Sequence, residues 1–214
     1  MIRTAATSLI LFAAAGVAGG TSETSISEEA RMLIDLTRET RKTYSLVTWN
    51  RVTRRDGTVI EEWSAEFHDG VHHRVETPRD RLIADCARMT GTYVQMGSAK
   101  MINGATVARA ACGVQANSII QSARVAGKRE TRFGPVTHLI VVDADSIRTY
   151  DVDVSGALLG ATISDRDGSL RLVSRAVSFT ADVPPDIFSM ESLGKSAVPE
   201  RFRKSVRYPA PTAD

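Results

Sequence analysis

Three Asp-Gly pairs, Asp56-Gly57, Asp69-Gly70 and Asp167-Gly168, each separate two runs in which apolar and polar residues alternate. Asp-Gly suits a tight hairpin because the turns that match strand twist need positive φ, which glycine adopts freely and aspartate tolerates. With the Gly134-Pro135 turn, they make the stretch from Ser45 to Phe179 a nearly continuous series of strands. A chain punctuated in this way is constrained to an antiparallel, mostly local sheet.

The expected strands are Ser45 to Arg54, Thr58 to His68, Val71 to Thr77, Leu82 to Cys86, Thr92 to Met96, Arg124 to Arg132, Val136 to Val142, Ile147 to Val154, Leu158 to Ser164 and Leu170 to Phe179. In the second, Val59, Trp63, Ala65 and Phe67 share one face, and Thr58, Glu62, Ser64 and Glu66 the other. This period of two is the mark of a half-buried strand. Pro78 falls at an edge or turn, and Pro184-Pro185 ends ladder pairing, since proline offers no N–H. Ahead of the strands, Ile26, Ala30, Leu33, Ile34 and Thr37 recur at helical spacing. Ser25 with Glu28 has the spacing of a capping box, and the helix is expected to end near Thr43. Between Lys100 and Ala123 small residues replace the alternation, and Asn117 to Arg124 reads as one or two helical turns crossing a face of the sheet.

The first twenty residues have the layout of a secretory leader: Arg3, an apolar run from Ala5 to Ala18, then Ala18-Gly19-Gly20. The run is shorter than the roughly 20 residues of a spanning helix, so cleavage near Gly20 is preferred to a membrane anchor. No cysteine follows it to take a lipid. The expected product is soluble, periplasmic and without a lipid anchor, with roughly 190 residues in one domain. The division is 1–20 leader, 21–190 folded domain and 191–214 an irregular basic extension read as a solvated tail. With 27 basic against 25 acidic residues, charge favours no nucleic-acid partner. Cys86 and Cys112 are the two cysteines; in an oxidising compartment an even count suggests a disulfide, the alternative being two separate thiols.

Catalytic signatures are missing. Around Ser155 the glycine positions of a nucleophile elbow hold Asp153 and Ala157. No H-E-x-x-H, Walker loop or G-x-G-x-x-G occurs. His72 and His73 point to opposite faces of a strand. His68 and His73 approach across a turn, and are taken as ordinary surface or edge histidines rather than metal ligands. No catalytic residue, metal or cofactor is assigned. A hydrolase would need His138 to meet two carboxylates.

Trp49 and Trp63 lie on the strands flanking the first hairpin, with the parity to share a face with Val47 and Phe67. They either fill the core under the N-terminal helix or line a groove for an apolar ligand.

Several segments are similar to the LolA-like periplasmic half-barrel superfamily, which includes the lipoprotein carrier LolA, the N-terminal domain of RseB (MucB) and LppX-type lipid binders. Thr77-Pro78-Arg79-Asp80-Arg81-Leu82-Ile83-Ala84-Asp85 resembles its proline-containing step into a short strand. Thr92-Tyr93-Val94 resembles an aromatic-bearing strand, and Asp165-Arg166-Asp167-Gly168 with Leu170 to Phe179 resembles the late hairpin of the RseB-type domain. Asn117 to Arg124 falls where the family carries a plugging helix. One departure is Asp85, which is followed by Cys86 instead of glycine.

The resemblance implies an α+β fold: a strongly curved antiparallel sheet, or half-barrel, of about ten strands, with an N-terminal helix and short plug helices on its concave side. It implies a monomeric carrier or binder of a lipid, an acyl chain or a lipidated protein, with Trp49, Trp63, Phe67, Tyr93, Ile119 and Ile120 as lining residues. A membrane-associated protein partner, as for RseB-type sensors, is the second expectation.

Overall fold

The computed structural model describes residues 25–98, 100–114 and 120–204; the leader lies outside them, as do Asn117 to Ile119 of the expected plug turns. Helix α1 (Glu28–Arg38) begins the fold. Strands β1 (Thr43–Thr53), β2 (Val59–Asp69), β3 (His72–Glu76), β4 (Asp80–Asp85), β5 (Thr90–Gln95) and β6 (Met101–Asn103) follow. After α2 (Ala105–Ala111) come β7 (Ser122–Thr131), β8 (Gly134–Val142), β9 (Ser146–Asp153), β10 (Leu158–Asp165) and β11 (Leu170–Thr180). A 3₁₀ turn at Glu191–Gly194 and helix α3 (Glu200–Lys204) complete the described chain.

The strands form one open sheet in the order β6-β5-β4-β3-β2-β1-β11-β10-β9-β8-β7. Two hairpin meanders are thus fused at the centre, where β1 pairs with β11, Leu46 opposite Phe179. The architecture is the curved α+β half-barrel, with α1 and α2 on its concave side. The Asp-Gly turns sit where the alternation places them, Gly57, Gly70 and Gly168 all at positive φ.

Local differences have local causes. Helix α1 starts at Glu28, and its cap is Ser27, whose side chain accepts from the Ala30 N–H at 3.2 Å. Ser25 is not the cap because residues 25 and 26 are extended, with Ile26 bridged to Ala123 of β7. The helix stops at Arg38, since Thr43 already belongs to β1. The helical turns expected from Asn117 to Arg124 are strand from Ser122 onward, and the plug helix is α2, earlier in the chain. Strand β6, too short for a periodic signal, makes the count eleven.

Residue pairing assigns the faces. Tyr44, Leu46 and Thr48 of β1 stand beside His68, Glu66 and Ser64 of β2, and His68 beside His73 of β3. This is the concave face. On one half of it α1 buries Ala30 and Ile34 against Leu139, Val141, Tyr150 and Val152. On the other half α2 buries Ala108 and Ala111 against Ala84, with Val75 and Leu82 beside them.

The convex face carries Val47, Trp63, Ala65 and Phe67, which pack against Ile187 and Val198 of the C-terminal segment. That segment is a strap on the sheet where a solvated tail was expected. Beneath it Arg74 is fully buried. Its guanidinium donates to Glu76 (2.7 Å), the Ile187 carbonyl (2.5 Å), the Ser192 side chain and carbonyl (2.7 and 3.3 Å) and the Lys195 carbonyl (2.6 Å). Glu76 in turn accepts from the Ser196 hydroxyl (2.6 Å) and the Ala197 N–H (2.8 Å). A buried ion pair is tolerated when its remaining hydrogen-bonding capacity is met, and here strap backbone meets it.

Candidate ligand-binding site

On the concave side, three pieces of chain meet over strands β1 to β3: the end of α1, the loop after α2 and the β9–β10 turn. Two glycines allow the contact. A Cβ at Gly113 or Gly156, both at positive φ, would collide with the carbonyl of Thr37 or Leu36. The Thr37 hydroxyl donates to the Ile34 carbonyl (2.7 Å) and accepts from the Val114 N–H (3.1 Å). Arg38 donates to the Val114 carbonyl at 3.1 and 3.3 Å. The disulfide between Cys86 and Cys112, with Cα atoms 5.6 Å apart, ties the end of α2 to the chain leaving β4. This is the pairing the cysteine count suggested.

Under this roof lies a cavity of ≈ 160 Å³. Val75, Ala110, Ala111 and Leu158 supply apolar wall; Lys42, Tyr44, Glu66, His68 and His73 supply the polar part. The Lys42 ammonium is buried and donates to the carbonyls of Thr37 (2.8 Å) and Gly156 (3.3 Å). The Tyr44 hydroxyl donates to Glu66 at 3.3 Å. The His68 ring stacks on that of Tyr44, with centroids 5.5 Å apart.

His68 and His73 are buried, so the surface or edge assignment is corrected. Their strands are internal to the sheet, and the two residues are direct cross-strand partners. The Nδ1 atoms lie 3.2 Å apart, so one ring donates to the other. If the His73 tautomer carries its proton on Nε2, it faces Glu66 Oε2, which is 3.8 Å away and beyond hydrogen-bond reach. Neither Nε2 atom has a hydrogen-bond partner among the described residues. Burial pushes His68 down to about 4, helped by the Lys42 charge and opposed by the nearby backbone of Gly70 and Thr40. It pushes His73 down to about 3, helped by His68 and Lys42. Both rings are therefore neutral at physiological pH. Burial also lowers Lys42, against the attraction of Glu66. It raises Glu66, against its Tyr44 hydrogen bond and Lys42.

The sequence brought His68 and His73 together across the Asp69-Gly70 turn, and the structure pairs them. It did not reveal their burial or the neighbouring Lys42, Tyr44 and Glu66, which no local spacing announces.

The residues expected to line a ligand divide between the faces. Trp63 and Phe67 are buried on the convex side beneath the strap. Trp49 faces Trp63 across the β1–β2 pair and is 9 % exposed. Tyr93 is half-buried, shares the concave parity of Leu82 and donates to Asp80 at 2.5 Å. Ile120 packs against the α1 cluster. The structure does not bring these residues together into one pocket.

Elsewhere, His138 Nδ1 lies 3.0 Å from Asp151, and Arg129 donates to the second carboxylate oxygen at 2.5 Å. His138 thus meets one carboxylate and a guanidinium, where the hydrolase reading required two carboxylates. Among the described residues no three His, Cys, Asp or Glu side chains converge as metal ligands. No described helix is long and apolar enough to cross a membrane.

An open, curved sheet with α1 and α2 seated in its concavity defines a half-barrel. No protein-family model and no curated protein sequence matches the chain. Among solved structures, an uncharacterised conserved protein from Thermus thermophilus is similar with a TM-score of 0.53 and 9% identity, over 82% of this chain and 98% of that one. MucB, in its complex with MucA from Pseudomonas aeruginosa, is similar with a TM-score of 0.51 and 12% identity, over 79% of this chain and 62% of that one. A LolA superfamily protein from Nitrosomonas europaea has a TM-score of 0.41 and 11% identity, over 77% of this chain and 99% of that one. At these identities the shared property is the fold. MucB is one of the proteins in the superfamily the sequence resembles.

Proposed function

We propose that this chain is a non-catalytic binding protein of the periplasm that holds an acyl chain, of a lipid or of a lipidated protein, on the concave side of its sheet. The observation that carries the reading is the roofed cavity, apolar on one wall and polar on the other, at the junction of α1, α2 and the β9–β10 turn. Binding would remove methylene groups from water at roughly 0.8 kcal/mol each, with no catalyst required. The secretory pattern of residues 1–20 and the disulfide both fit an oxidising compartment.

Native mass spectrometry of the exported protein, prepared without detergent and followed by lipid extraction, tests this. Co-purifying acyl lipid at about one per chain is the expected result. A ligand-free mass, under conditions that preserve a known lipid carrier's complex, would contradict it.

A second reading, a protein-interaction module, is favoured by a different surface. Gly127, His138, Asp151, Gly160 and Arg175 form one cross-strand row on the convex face from β7 to β11. Its His138 and Arg129 side chains are 35% and 45% exposed. A photo-crosslink from position 138 to one envelope protein, lost on reversing Arg129 and Arg175 to glutamate, would support it. No crosslink above background would remove it.

A further inference from the structure

We infer that the polar end of the concave cavity is a head-group site for a carboxylate, so that the ligand is a single-chain fatty acid held head-inward. This deepens the acyl-binding reading and rests on it. Two buried groups carry the inference. An ammonium has three N–H donors, and Lys42 uses two on the carbonyls of Thr37 and Gly156. His73 is 4% exposed, lines the cavity and has an Nε2 without a partner among the described residues. With His68 donating its Nδ1–H to His73 Nδ1, His73 carries its proton on Nε2; leaving that buried N–H unpaired costs about 1–3 kcal/mol, which a ligand oxygen accepting from it would recover.

Charge points the same way. Arg38 and Lys42 are the cations of the lining, and Glu66 is its one carboxylate. A carboxylate seated against Lys42 and His73 gains charge-assisted hydrogen bonds that an alcohol of equal length cannot match. Size sets the orientation. At ≈ 160 Å³ the cavity is smaller than the roughly 300–1,000 Å³ of pockets that enclose a whole drug-sized ligand. It takes the head and the first methylenes. Val75, Ala111 and Leu158 contact those methylenes, and the exposed Ala110 and Arg38 mark the way out between α1 and α2.

Isothermal titration of the delipidated mature protein with decanoate, decanol and acetate tests the assignment. Decanoate is expected to bind at least about tenfold more tightly than decanol, the equivalent of one charge-assisted hydrogen bond. Acetate, lacking the chain, is expected to bind weakly. Lys42→Met should erase the preference for decanoate. Because that variant could also loosen the roof, Glu66→Gln supplies a gain that misfolding cannot imitate: with the competing carboxylate removed, the decanoate-to-decanol ratio should rise. Equal affinity for decanoate and decanol, unmoved by Glu66→Gln, would overturn the head-group site and leave acyl binding standing. Failure of both ten-carbon probes to bind would take the acyl-binding reading down as well.

Discussion

The two faces of the sheet treat buried charge in opposite ways. On the convex side, every N–H of Arg74 finds an acceptor in Glu76 or the strap, and Glu76 is matched in turn by Ser196 and Ala197. On the concave side, His68 and His73 satisfy each other at Nδ1 and leave both Nε2 atoms without a partner among the described residues, next to a cavity. A closed polar network fixes a structure, whereas an open one lining a cavity keeps hydrogen-bonding groups that a ligand could engage. The convex half-face under the strap is therefore architecture, and the concave junction is where the proposed ligand would sit.

A large effect should come from opening the closed network. Arg74→Ala leaves buried Glu76 with only the more distant Arg81 (3.7 Å) as a cation and should cost about 3 kcal/mol in chemical denaturation, with loss of hydrogen-exchange protection across residues 187–198. Full stability would show that the strap is held by its apolar contacts alone. Trp63→Ala, in the same cluster, should cost about 3–5 kcal/mol and leave decanoate affinity unchanged. Affinity falling more than stability would return Trp63 to the lining.

Acid should act on the concave face. Both histidines titrate lower folded than unfolded, so the unfolded chain binds more protons between the two values. Their contribution is complete above about 6.5 and is lost as pH falls toward about 4 for His68 and about 3 for His73. The loss approaches about 1.4 kcal/mol per pH unit for each ring. Glu66, raised by burial, opposes it by taking up its proton more readily in the folded state. Melting temperature measured from pH 7 to 4.5 should fall, and the double variant His68→Phe/His73→Phe should flatten that slope. An unchanged slope would place the acid sensitivity elsewhere.

Removing the disulfide with Cys86→Ser/Cys112→Ser should cost about 3.5 kcal/mol by the loop-entropy argument for a separation of 26 residues. The same change should speed ligand exchange, because α2 loses its tether. The smallest effect expected is Ser27→Ala at the cap of α1, about 1 kcal/mol, with binding intact.

The contrast between the faces also marks what could be read in the sequence. Hairpins announced themselves through Asp-Gly, and α1 through its apolar stripe, because both signals are local. The β1–β11 pairing that fuses the meanders joins residues far apart, and local pattern does not encode it. On β3, His72, Arg74 and Glu76 alternate with His73 and Val75, and polar residues at period two read as a solvent face. The strap reverses that, and its own backbone, irregular after Pro184-Pro185, carries no period that would announce it. Parity showed that Trp49, Trp63 and Phe67 share a face, but parity alone does not say which face holds the helices.

The most direct test of the central claim is a two-dimensional NMR titration of the delipidated protein with decanoate. It would follow the imidazole signals of His68 and His73 and the indole signals of Trp49 and Trp63 in one experiment. The account predicts saturable shifts of the two imidazoles, with the indole of Trp63 unmoved beneath its strap. Shifts of the indoles with silent imidazoles would contradict it and move the ligand site to the convex face.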